Sequence, residues 1–167
     1  MKLLTSFLSL LAGSVLSIAA HGQPVTVQDA WIRATVPQQK ATGAFMKITA
    51  PQNMRLVGVA SPSAPVAEIH EMRLQDNVMK MRQVPAIELP AGQSVELKPG
   101  GYHVMLMDLP KAMKAGDTVP LQLILETPAG QRQTMDIQVP VRAVNTSASP
   151  APAASMPAHM GHGEPKR

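Results

Sequence analysis

The 167-residue sequence contains no cysteine, so disulfides and thiolate chemistry are excluded and packing alone must hold the fold. Aromatic residues are nearly as scarce, with one Trp, one Tyr and two Phe. Because Phe7 falls in the first apolar stretch, only Trp31, Phe45 and Tyr102 are left for a folded domain. Charge is thin: 15 basic and 11 acidic residues form no Lys/Arg run, which argues against a nucleic-acid partner. No nucleophile with a nearby base and no phosphate-binding loop can be found, so no enzyme class is indicated. Long hydrophobic runs are missing too, apart from residues 3–20.

That run follows Met1-Lys2, carries no charge and ends in small residues, the pattern of a secretory signal peptide. Its length is marginal for a bilayer span. Residues 1–22 are therefore read as a cleavable leader, cut between Ala19 and Gly22, and the mature form is expected to have no membrane span. Residues 23–143 suit one domain with a hydrophobic core. Residues 144–167 turn to Ser, Pro and Ala, a composition too poor in apolar side chains to order itself.

Within the domain, short β-branched or alternating segments are punctuated by Pro and Gly, which predicts an all-β sandwich or barrel. Strands are expected at 25–35, 44–49, 55–60, 67–72, 78–84, 94–97, 103–109, 119–126 and 133–139. The last two form a hairpin through Pro128-Ala129-Gly130, while Gln75-Asp76-Asn77 and Pro99-Gly100-Gly101 supply turns before Val78 and His103. A further turn is expected over 111–115. Trp31 and Met79 are read as core residues.

What the chain has in excess is methionine, twelve residues in all. Met fills irregular cores, and any single one invites that explanation. Four residues ask for more: His70, Met81, His103 and Met105. Residues two apart on a strand share a face, so His103 and Met105 project together while Val104 and Leu106 face the core. His70 with Met72, and Met79 with Met81, stand in the same relation. Imidazole and thioether together select copper, above all Cu(I), over zinc, magnesium or calcium. Thioethers also escape oxidation to disulfides outside the cell. Structural histidines among packing methionines are the alternative, but that reading gives no reason for both domain histidines to sit in His-x-Met pairs.

The spacing His70, ten residues, Met81, twenty-one residues, His103, one residue, Met105 resembles the signature of the periplasmic copper-A chaperone family, PCuAC. Ala30-Trp31-Ile32-Arg33, Glu68-Ile69-His70-Glu71-Met72, Val78-Met79-Lys80-Met81-Arg82, Gly100-Gly101-Tyr102-His103-Val104-Met105-Leu106-Met107 and Gly116-Asp117 resemble it as well. The resemblance implies a cupredoxin-like Greek-key β-sandwich in the periplasm, binding one Cu(I) through His70, Met81, His103 and Met105. It also implies delivery to the copper-A subunit of cytochrome c oxidase, beside a thioredoxin-like copper protein. General copper buffering or tolerance is the alternative role, and a metal-free interaction module the remaining one. Met72 and Met107 are read as spare thioethers next to the site.

Met156, His159, Met160 and His162 in the tail form a second candidate copper site, whose imidazoles suit Cu(II) and whose thioethers suit Cu(I). Cleavage after Ala20 would give His21 a free amine beside its imidazole, another Cu(II) chelate, but Ile18 disfavours that cut.

Overall fold

A computed structural model describes residues 24–143, and they form an all-β domain of ten strands. In chain order these are β1 (Thr26–Arg33), β2 (Ala41–Thr49), β3 (Met54–Ala60), β4 (Val66–Gln75), β5 (Val78–Gln83), β6 (Ile87–Leu89), β7 (Ser94–Leu97), β8 (Tyr102–Met107), β9 (Thr118–Glu126) and β10 (Arg132–Arg142). Hydrogen-bonded neighbours run β5-β4-β8-β2-β1-β10-β9-β3-β6, with β7 on the other part of β2. Every pairing between the strands is antiparallel except the short parallel seam of Ile32 with Val141 and Arg33 with Arg142, which joins the two halves of the sheet. The out-of-sequence neighbours β4-β8, β8-β2 and β9-β3 give the Greek-key crossovers expected of a cupredoxin-like sandwich.

Inward-facing residues of both halves meet in one core. Ile32, Met46, Ile48, Ile69, Val104 and Leu106 come from the half carrying β8, and Leu56, Leu89, Leu121, Leu123, Leu125 and Val139 from the other. Each such side chain contributes about 1.5–3 kcal/mol by leaving water. The alternation of Leu121, Leu123 and Leu125 on β9 against Met135, Ile137 and Val139 on β10 produces the expected hairpin, in which Leu123 pairs with Met135 and Leu121 with Ile137. Gly130, at a φ of 77°, closes its turn, a conformation glycine adopts without Cβ strain.

All nine expected strands form. The tenth, β6, pairs Ile87 with Leu56 and Leu89 with Met54. Its three residues lie between Pro85 and Pro90, too short a run to display a period. The turn expected over 111–115 falls later: the Asp117 amide donates to the Lys114 carbonyl at 3.0 Å, and the Asp117 side chain accepts from the Lys114 amide at 2.9 Å. Asp fixes such a turn through its carboxylate, so Asp117 sets its position.

Trp31 is not a core residue. Pairing of β1 with β2 runs from Thr26 with Thr49 to Gln28 with Lys47, then resumes one residue out of step at Trp31 with Phe45. Asp29 sits in this bulge at a φ of 52°. The extra residue inverts the alternation, so Ile32 enters the core and Trp31 turns to the outer face against Phe45, with ring centroids 4.6 Å apart.

Candidate metal centre

The sheet order makes β4 the neighbour of both β5 and β8, and this assembles the site. His70 lies directly across from His103, and Met72 across from Met81. Met105 faces Glu68 on one side and Gly43 of β2 on the other. Since paired residues share a face, imidazoles and thioethers from three strands converge on the outer side of the sheet, opposite Ile69, Val104 and Leu106. The two imidazole centroids are 6.0 Å apart with ring planes at 49°. Nε2 of His103 stands 3.3 Å from Sδ of Met81. Met72, Met81, His103 and Met105 line a common cavity of about 310 Å³, together with Gly43, Phe45 and Arg33. His70 is not among the residues that line it.

Local backbone geometry orients the rings. Pro99 and Gly100 form the centre of a turn closed by the Gly101 amide on the Lys98 carbonyl at 3.0 Å, with Gly100 at a φ of 81°, as a type II turn requires. The turn presents the Gly101 carbonyl to two donors, the Met72 amide at 3.0 Å and Nδ1 of His103 at 2.9 Å. A carbonyl can only accept, so the neutral His103 ring carries its proton on Nδ1 and turns the Nε2 lone pair toward Met81. His70 is held differently: its Nε2 lies 2.8 Å from Oε2 of Glu68, and its Nδ1 is buried with no hydrogen-bond partner.

An aromatic platform continues the site. Phe45 lies 6.4 Å from the His103 ring and carries the Arg33 guanidinium 5.7 Å from its centroid; Arg142 stands 5.9 Å from the Trp31 centroid. Thr42, buried in β2, donates to the Arg33 carbonyl at 2.6 Å and fixes that end of β1. No carboxylate lines the cavity among the described residues.

The β4-β5 hairpin extends the site outward. Asp76 and Asn77, at φ of 53° and 59°, make the two-residue turn that a tight hairpin favours. One face of the hairpin continues His70 through Met72 and Leu74, opposite Met81 and Met79. Met79 is 47% exposed and Met81 50% exposed, so the core role expected for Met79 fails: β5 is the sheet's outermost strand, and none of the described residues covers these side chains. The other face carries Glu71 and Arg82, whose guanidinium donates to the Glu71 carboxylate at 2.7 Å and holds that carboxyl below its usual range. Met107 pairs with Ala41 and Val66 outside the cavity lining.

His70, Met81, His103 and Met105 are thus brought to one face, with Met72 among them. The expected leader, His21, and the tail residues Met156, His159, Met160 and His162 lie outside the described residues. Glu68, Gly43, Phe45 and Arg33 were not singled out from the sequence. For Glu68 the signal was there, since it stands two residues before His70 and so shares its face.

The fold and this face define a class, the PCuAC-type β-sandwich. A copper-bound PCuAC domain from PmoF2 superposes with a TM-score of 0.57 at 26% identity, over 72% of this chain and 93% of that one. The copper(I) form of DR1885 from Deinococcus radiodurans gives a TM-score of 0.53 at 33% identity, over 75% and 83%. Residues 25–141 match the family model described as "Putative lipoprotein LpqE-like", and the chain belongs to that LpqE-like family. "Putative lipoprotein Lxx21020" of Leifsonia xyli subsp. xyli (strain CTCB07) is 29% identical over 119 residues, 71% of this chain and 69% of that protein.

Proposed function

We propose that the protein is an exported copper carrier that holds one Cu(I) through His70, Met81, His103 and Met105 and passes it to an acceptor, the copper-A site of cytochrome c oxidase in the periplasm. One observation carries the reading: Nε2 of His103 and Sδ of Met81 face each other at 3.3 Å with the ring proton on the far nitrogen, held by Gly101. Two lone pairs meeting without a proton call for a shared acceptor. A metal–nitrogen bond near 2.0 Å and a metal–sulfur bond near 2.3 Å at a tetrahedral angle would set the donors about 3.5 Å apart, taking zinc as the d¹⁰ reference. The observed distance is close to that. Further support comes from the copper that two structural relatives hold, by their names, and from the leader expected at residues 1–22.

Transfer follows from exposure. Met81 is half exposed on an outermost strand, so an acceptor's ligand can replace it first while His103, anchored through Gly101, still holds the ion. Cu(I), a filled-shell ion, tolerates the three-coordinate intermediates of such an exchange. The test is Cu(I) competition against a chromogenic chelator on the mature chain, followed by transfer to an isolated copper-A domain. One tightly held Cu(I), passed on at a rate set by acceptor concentration, is expected. Binding without concentration-dependent transfer would make the protein a copper buffer, and no binding would end the copper reading.

A further inference from the structure

We propose that Glu68 is a positioning residue that commits His70 to bind copper through Nδ1, so that the two histidines of the site use different nitrogens. The inference rests on the copper reading above and adds to it a residue and an atomic assignment. An ionised carboxylate only accepts hydrogen bonds, so the 2.8 Å contact of Oε2 with Nε2 puts the proton of the neutral His70 ring on Nε2. The lone pair is then on Nδ1.

That nitrogen is buried and unpartnered, alone in this among the side-chain nitrogen and oxygen atoms of the described residues. A buried acceptor left without a partner is costly, and native proteins rarely keep one without a use. His103 shows the complementary arrangement, with its proton on Nδ1 toward the Gly101 carbonyl and its free lone pair on Nε2. Each ring is pinned by one acceptor, and the acceptors grip opposite nitrogens. The pinning fixes ring orientation before the ion arrives, and histidine ligands gain affinity from such outer partners.

Charge points the same way. The proposed ligands are all neutral and Arg33 lines the cavity as a cation, so a bound Cu(I) would meet net positive surroundings. Glu68 supplies a negative charge in direct contact with one of the ligands. Its place is secured by strand register, since it pairs with Met105 across β4 and β8 and shares a face with His70.

The test uses the full mature chain, ¹⁵N-labelled, with long-range proton–nitrogen correlation spectra that separate Nδ1 from Nε2, recorded before and after one equivalent of Cu(I). The expected spectra show the Nε2–H form of His70 and the Nδ1–H form of His103 without metal, with Cu(I) shifting Nδ1 of His70 and Nε2 of His103. Glu68→Ala should weaken Cu(I) binding about ten- to a hundredfold and release the His70 tautomer. Glu68→Gln, whose amide oxygen still accepts, should keep the tautomer and most of the affinity. Unfolding curves that overlay the parent's would assign the loss to the site. A Cu(I)-induced shift on Nε2 of His70, or undiminished affinity in Glu68→Ala, would overturn the assignment while leaving the copper site standing. No shift at either ring would overturn both.

Discussion

Replacing Gly43 with Ala tests whether the platform beneath the site is as tightly set as the geometry indicates. Gly43 lies on β2 across from Met105 and lines the cavity. An added Cβ would stand 2.8 Å from Cζ, 3.3 Å from Cε2 and 3.5 Å from Cε1 of Phe45. Carbon atoms prefer about 3.5–4.0 Å, so the ring must retreat by roughly 1 Å. Its room is limited by Trp31, with centroids 4.6 Å apart, by the Arg33 guanidinium at 5.7 Å and by His103 at 6.4 Å. Overpacking of this kind costs about 1–3 kcal/mol. At about 4 °C per kcal/mol for a domain of this size, Tm should fall by about 4–12 °C. Trp31 is the sole tryptophan, so its emission reports both the unfolding curve and the displacement of its neighbour. Phe45→Leu in the Gly43→Ala background should recover part of the loss, giving a coupling above about 1 kcal/mol in a double-mutant cycle. A Tm within about 1 °C of the parent, with unchanged Trp31 emission, would show that the ring moves freely and that the platform is not packed as argued.

Other expectations follow from the same geometry. Met81→Leu and Met105→Leu conserve volume and should cost less than about 1.5 kcal/mol of stability while weakening Cu(I) binding at least tenfold; competition titrations unchanged in both would remove these residues from the ligand set. Truncation after Val144 should leave Cu(I) affinity at the domain site intact and lower total copper by one equivalent, read by metal analysis; equal copper in both forms would deny the tail a site. Glu126, buried on β9, accepts from Arg55 and from Arg132 at 3.1 Å, and these guanidinia hold its carboxyl below the usual carboxylate range. Its stabilising effect is therefore full above the unfolded-state carboxyl range and is lost as pH falls through the lower folded-state value. Glu126→Gln should lower the denaturant midpoint at pH 7 and much less at pH 3, and an equal deficit at both would refute the linkage.

The sequence by itself determined the all-β class, nine of the ten strands and the sharing of faces within each strand, because these rest on local rules. Alternation along β4 and β8 placed His70 with Met72 and His103 with Met105, away from Ile69, Val104 and Leu106. Turn chemistry at Pro99-Gly100 and Asp76-Asn77 likewise lies within a few residues. Only the tertiary structure decided which strands are neighbours, and hence that His70 stands across from His103, thirty-three positions along the chain, and Met72 across from Met81. It also decided two of the readings that failed. Trp31 read as a core residue, but Asp29 adopts a left-handed conformation and inserts one residue against β2, which flips the indole outward. Met79 read as core, but burial needs a covering layer, and β5 ends the sheet with none among the described residues. Alternation in a sequence specifies which side chains share a face; register shifts and sheet edges, set by contacts between distant segments, decide whether that face meets the core, water or a metal.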